Sequence, residues 1–159
     1  MPASDPSFEA AASILDELIE GLRRAIDGAT ADALNVRPAG DDTNSIAVLA
    51  THVMHSTRSW LAVATGAALP KRDRPAEFLA TADDATELLG FVDAVAAQCR
   101  ALLAIDAPFE PATLRATHAQ LTSMPERVTG AWALHHAIEH LAQHVAHAQL
   151  TRQVLDSRG

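Results

Sequence analysis

The sequence predicts an all-α protein, a four-helix bundle formed by a single domain over residues 1–159. Four segments of roughly 20 residues carry apolar side chains at helical spacing, and no segment alternates convincingly as a strand does. A composition of 48% apolar and 20% charged residues suits an ordinary globular core. The length of 159 residues also favours one domain over two.

The first two helices are marked by apolar periodicity and by end signals. The first is predicted over Pro6–Ile26, with Ser7 as its N-cap. The second starts near Asn44 or Ser45 and runs to Gly66, a residue typical of helix C-termini. Both helices are long enough to cross the predicted core.

The third helix is predicted over residues 81–103. Thr81 and Asp84 at its start resemble a loosened capping box. Residues 69–75, between the second and third helices, are rich in charge and proline, and they are predicted to form a loop.

A long irregular connection, residues 106–128, joins the third helix to the fourth. Within it, the segment LRATHAQLT is compatible with a short strand or a short helix, and the sequence does not decide between them. The fourth helix is predicted over residues 129–156.

Charge and hydropathy exclude several classes of function. The formal net charge is −8 and the pI about 5.3, so the chain repels a phosphate backbone and nucleic-acid binding is not expected. A single cysteine permits no intrachain disulfide. No apolar run is long enough to cross a bilayer, and the acidic start of the chain does not resemble a signal peptide. We therefore expect a cytoplasmic protein that does not enter a membrane.

The fourth helix is unusual for its histidines. It contains five of the eight in the chain: His135, His136, His140, His144 and His147. On a helical wheel, His144 and His140 lie about 70° and 110° from the centre of the apolar face, on the same side. Side chains four residues apart are stacked one turn above another, so these two imidazoles can reach one metal ion.

A third ligand is expected from the second helix. His52 lies nearer its apolar stripe than His55 does. Three histidines from two helices leave coordination positions open, which is typical of catalytic rather than closed structural metal centres. Histidines that are solvated or packed in the core, with no metal, remain the alternative at this point.

Three stretches resemble the DinB-like superfamily of four-helix bundles. NSIAVLATHVMHSTRSWLAVATG is similar to its second helix, where a histidine precedes a tryptophan by eight residues, here His52 and Trp60. HLAQHVAH is similar to the ligand pair of its fourth helix. The tail HAQLTRQVLDSRG resembles the branch of mycothiol-dependent maleylpyruvate isomerase-like proteins, with His147 and Arg152 in the typical positions.

The resemblance implies an up-down-down-up bundle that binds a divalent metal, zinc or nickel, through His52, His140 and His144. It also implies a homodimer, a small-molecule substrate and a low-molecular-weight thiol of the mycothiol, bacillithiol or glutathione type as co-substrate. The metal would convert that thiol to a nucleophilic thiolate. His140 stands where the mycothiol branch often has glutamate, and Gln149 replaces a frequent acid, so the identity of the thiol stays open.

The predicted function is therefore that of a metal-dependent thiol transferase or isomerase. His147, Arg152 and His136 are candidate second-shell groups or substrate contacts, and His118 is a further possible contact from the irregular connection. The alternatives are a non-catalytic dimeric module that binds a ligand or metal, and a metal-dependent hydrolase that uses bound water. Cys99, with no cationic cluster to activate it, is expected to be inert.

Overall fold

Helices dominate the protein, as the sequence predicts. The computed structural model describes residues 5–117 and 124–158. The long helices are α1 (Pro6–Ile26), α3 (Ile46–Thr65), α5 (Ala85–Leu103) and α6 (Gly130–Asp156). Shorter elements lie between them: α2 (Ala31–Asn35), a 3-10 turn (Gly40–Asp42), α4 (Arg74–Glu77), and the strands β1 (Leu114–Ala116) and β2 (Arg127–Thr129).

The long helices surround one hydrophobic core. Helix α1 packs against α5 and α6, and α3 packs against the same two helices, with the α3–α6 interface the most extensive. Each contributes fully buried apolar side chains, among them Leu22 from α1, Leu61 from α3, Val92 from α5 and Leu141 from α6. Burial of these faces is the main favourable contribution to folding.

The ends of α3 and α6 lie within two residues of the predicted ends. The Ser45 hydroxyl caps α3 by accepting the Val48 N–H, and Gly66 ends it in a left-handed conformation with φ of 75°. Thr129 caps α6 by accepting the N–H of Trp132. These caps occupy backbone donors that would otherwise lack partners in the first turn.

The predicted cap of α1 is wrong. Asp5, not Ser7, is the N-cap, and its carboxylate accepts the N–H of Ser7 at 2.9 Å. Proline is favoured at the first helical position because it lacks the N–H that would be unpaired there. Pro6 occupies that position, so the capping acceptor comes from the residue before it.

The predicted start of α5 is also wrong. Thr81 lies outside the helix, and Asp84 is its N-cap, accepting the N–H of Glu87 at 2.8 Å. Glu87 in turn accepts the N–H of Asp83 at 2.7 Å. The second bond goes to the residue before the N-cap, so the pair is a variant of the capping box, and it lies three residues later than predicted.

Two parts predicted as irregular contain regular structure. The end of the predicted 69–75 loop begins α4, whose first turn Asp73 caps by accepting the N–H of Ala76 at 3.1 Å. In the 106–128 connection, β1 pairs antiparallel with β2, with Arg115 opposite Val128. The strand option is therefore correct for the first three residues of LRATHAQLT. His118 lies outside the described residues.

Within residues 5–117 and 124–158, no helix combines the length and the hydropathy required to span a membrane.

Core packing can be tested on α1, away from the histidines. Leu22 is fully buried and Leu150 is 59% exposed. Leu22→Ala is expected to lower the free energy of unfolding by about 2–5 kcal/mol, because it leaves a cavity. The control Leu150→Ala should change it by no more than about 0.5 kcal/mol. Urea unfolding followed by circular dichroism measures both, and equal effects would contradict the core assignment.

Candidate metal site

Three histidines meet where α3 faces α6. His52 from α3 and the pair His140 and His144 from α6 each offer a ring nitrogen, and these atoms lie within 4.8 Å of one another. The His52 ring centroid is 5.4 Å from that of His140 and 5.1 Å from that of His144. The two α6 rings are 4.5 Å apart. The predicted trio is thus brought together in space.

Burial keeps the two α6 imidazoles neutral. It lowers the pKa of His140 to about 3, with the neighbouring His144 and His52 lowering it further. Burial likewise lowers the pKa of His144 to about 4, with contributions from His52 and His147. Neutral imidazoles have a free nitrogen lone pair, which is the form that binds metal.

The trio fits a divalent cation. Within the described parts of the chain, the buried Nδ1 atoms of His140 and His144 have no hydrogen-bond partner. Leaving such groups unpaired costs about 1–3 kcal/mol each. Nitrogens bound to one zinc ion at about 2.0–2.1 Å lie no more than about 4.2 Å apart, so only small side-chain movements separate this trio from a ligand set. An all-imidazole set suits zinc, nickel, copper or iron.

The third imidazole, that of His52, contacts a buried ion pair formed by Glu77 and Arg72. Nδ1 of His52 lies 2.9 Å from Oε2 of Glu77. Arg72 binds both oxygens of that carboxylate, through Nε at 2.6 Å and Nη2 at 2.8 Å. The side chains of Arg72 and Glu77 are only 2% and 3% exposed. Burial alone would raise the pKa of Glu77, but the hydrogen bonds from Arg72 and His52 outweigh it and lower the pKa below its usual value.

Glu77 and Arg72 were not identified from the sequence. Residues 69–75, which include Arg72, are predicted to form a loop because of their charges and prolines, and Glu77 lies just beyond them. Asp73, two residues before Pro75, was an available signal, since an acid can cap a helix and proline is tolerated in the first helical turn. That turn brings Glu77 to His52, and the ring of Phe78 packs 4.7 Å from the His52 ring.

Comparison with known sequences identifies the family. The sequence model of the DinB superfamily matches residues 9–148, most of the chain. The protein belongs to the DinB superfamily. A comparison with proteins of curated function finds no match.

The fold of this DinB protein is similar to a solved structure described as a conserved protein from Enterococcus faecalis. The TM-score is 0.74 with 15% sequence identity, over 98% of this chain and 99% of the other. At that identity the similarity concerns the fold alone.

His136 borders the trio without joining it. Its ring is 5.5 Å from that of His140, stacks on Trp132 at 4.7 Å and meets Trp60 edge-on at 4.9 Å. Trp60 is buried, whereas Trp132 is 40% exposed. A row of aromatic rings therefore extends from the histidine trio towards the surface of the DinB domain.

The two remaining candidates lie outside the trio. His147 is exposed, and its electrostatic effect is a minor cause of the lowered pKa of His144. The guanidinium of Arg152 binds Asp156 at 2.8 Å and donates to the backbone carbonyls of Ala25 at 3.2 Å and Asp27 at 3.0 Å. In this structure Arg152 therefore joins α6 to the C-terminal end of α1.

Two further described histidines and the cysteine also lie outside the trio. His135 is exposed, with Nδ1 2.8 Å from the carbonyl oxygen of Ala131. His55 is half-buried beside the ring of Phe91. Cys99 is fully buried, and burial raises the pKa of its thiol to about 12. Its thiolate, the reactive form, is therefore absent at neutral pH.

Tryptophan fluorescence can report on the trio directly. The chain has two tryptophans, Trp60 and Trp132, and both contact the His136 ring beside His140. Ni²⁺ or Cu²⁺ bound at the trio should quench their emission with a saturable titration curve. His144→Ala should weaken that binding by more than about tenfold, because it removes one of three ligands.

The matched control is His135→Ala, which removes an exposed histidine from the same helix. It should leave the titration curve unchanged. Identical curves for His144→Ala and the native protein would exclude the trio as the binding site.

Proposed function

We propose that this DinB protein is a divalent-metal-dependent enzyme that uses a low-molecular-weight thiol in a transfer or isomerisation reaction. His52, His140 and His144 are the proposed ligands of zinc or nickel. The observation that carries the proposal is the convergence of three imidazoles from two helices, two of which, His140 and His144, have buried Nδ1 atoms with no hydrogen-bond partner in the described chain. Three protein ligands leave a coordination position for a small molecule.

The proposal includes a four-helix bundle of the up-down-down-up type, a homodimer, a cytoplasmic location and a small-molecule substrate. The packing of α1 and α3, each against both α5 and α6, supports the bundle. The dimer, the location and the substrate follow from the family resemblance and the composition.

The bound metal and the chain have different parts in the proposed reaction. A bound divalent cation supplies positive charge that favours the thiolate form of a coordinating thiol. His140 and His144, kept neutral by burial, hold their lone pairs available at physiological pH. They are half-buried whereas His52 is buried, so a small molecule reaches the trio from the α6 side.

The row of aromatic rings beside the trio is the proposed binding surface for the substrate. The rings of His136 and Trp132 continue outward from His140 and offer flat, largely apolar faces. His136 is the proposed substrate contact, because its ring lies beside a proposed ligand. Arg152 already binds Asp156 and two carbonyls of α1, so it would have to leave those partners to meet a substrate.

Turnover measurements test the proposal. The protein as isolated is mixed with an alkylating or unsaturated electrophile and with glutathione, bacillithiol or mycothiol in turn. We expect thiol consumption that a chelator stops and that zinc or nickel restores. His140→Ala should retain less than about one hundredth of the rate, since the metal is lost. Cys99→Ala, which removes the only protein thiol, should leave the rate unchanged.

Three outcomes would contradict the proposal. Less than about one tenth of an equivalent of metal in the gently purified protein would remove its basis. Turnover without any thiol would instead indicate a hydrolase that uses bound water. Bound metal with no turnover of any thiol would indicate a binding module.

A further inference from the structure

We infer that Glu77, held in place by Arg72, is a positioning residue that fixes His52 in the tautomer protonated at Nδ1 and so presents Nε2 to the histidine trio. The expected effect on metal affinity rests on the proposed function. The tautomer itself is a property of the metal-free chain and stands independently.

Both oxygens of the Glu77 carboxylate have close polar partners. Oε1 accepts from Nε of Arg72, and Oε2 accepts from Nη2 of Arg72 while lying 2.9 Å from Nδ1 of His52. An ionised carboxylate only accepts hydrogen bonds. The nitrogen that faces it must therefore carry a proton, because a lone pair at 2.9 Å would be repelled.

The guanidinium of Arg72 stabilises the ionised form of the Glu77 carboxylate. Its two hydrogen bonds to Glu77 form the bidentate pairing that guanidinium and carboxylate groups prefer. Nη2 of Arg72 also lies 3.4 Å from Nδ1 of His52, farther than Glu77 does. A guanidinium is a donor only and cannot accept the Nδ1 proton. Glu77 is therefore the acceptor for His52.

The segment that carries these residues is itself held against the helices. Nη2 of Arg37 donates to the carbonyl of Phe78 at 3.2 Å, and the Phe78 ring packs on His52. Asp73 caps the single turn of α4 that ends at Glu77. The position of Glu77 is thus determined by contacts on both sides of it.

The stability of the fold alone does not explain why Arg72 and Glu77 form a buried ion pair here. An apolar pair of similar volume is often as stabilising as a buried ion pair, because desolvation of the charges offsets their attraction. Histidine ligands commonly donate their second ring N–H to a carboxylate, which fixes the ring and raises its basicity. The location of Glu77 behind His52 matches that role.

The test uses a double variant in which both charged residues of the buried pair are replaced by methionine. In Arg72→Met/Glu77→Met no buried charge is left unpaired, so the free energy of unfolding should be equal or higher. His52 loses its Nδ1 acceptor. Long-range ¹H–¹⁵N spectra of the metal-free protein should show the Nδ1–H tautomer of His52 in the native chain and a mixture in the double variant. Affinity for Zn²⁺, measured by chelator competition, should fall about 10- to 100-fold.

The matched control is Asp16→Met/Arg100→Met, which removes an exposed ion pair between α1 and α5. It should change neither the His52 tautomer nor the Zn²⁺ affinity. A second variant, Glu77→Gln, retains an oxygen acceptor for His52 and should retain the Nδ1–H tautomer even if the double variant does not fold.

The inference is overturned by an Nε2–H tautomer of His52 in the native protein, or by native Zn²⁺ affinity in a folded double variant. A native protein that binds no Zn²⁺ but shows the Nδ1–H tautomer would refute the proposed function and leave the positioning of His52 supported.

Discussion

The close packing of α3 on α6 is the constraint on which the candidate site depends. Ala133 and Ala137 on α6 are fully buried, and a spacing of seven residues from His140 and His144 places these small side chains on the same side of the helix. At the α3–α6 interface His52 can reach across to His140 and His144. The same burial that stabilises the fold lowers the pKa of both α6 imidazoles. Packing of the helices therefore sets both the positions of the imidazoles and their neutral form.

Polar groups at this interface are arranged in two different ways. Behind His52, the buried pair of Glu77 and Arg72 satisfies the ring through Nδ1. On α6, the Nδ1 atoms of His140 and His144 lack partners within the described residues. Native proteins rarely leave buried polar groups unsatisfied, and such groups often mark a function. The two sides of the interface therefore differ: the His52 ring has a carboxylate partner, whereas the α6 imidazoles have unpaired Nδ1 atoms.

Helical periodicity predicted the four long helices, whereas the residues at their ends predicted the boundaries of α3 and α6 but not the caps of α1 and α5. The core face of α1 follows from its regular apolar spacing, and its extent was predicted correctly. The cap at Asp5 depends on whether Pro6 begins the helix, and the start of α5 depends on a choice among neighbouring acids. In each case the alternative caps differ by about one hydrogen bond, or about 1 kcal/mol. A sequence pattern resolves so small a difference poorly.

The histidine trio was predictable for a similar reason. Four-residue spacing places His140 and His144 on one side of α6, and the apolar stripe of α3 singles out His52. Glu77 was not predictable in this way, because its contact with His52 spans 25 positions and depends on a single turn of helix. Short helices are stabilised by tertiary contacts rather than by their own propensity, so their sequences carry a weak signal.

The central claim is that His52, His140 and His144 together hold one divalent cation. X-ray absorption at the metal edge, combined with anomalous diffraction from crystals of the metal-loaded protein, tests it most directly. The account predicts one ion bound by these three imidazoles, with metal–nitrogen distances of about 2.0–2.1 Å for zinc. An ion bound instead by His135 or His147, or no ion at the trio after loading, would contradict it.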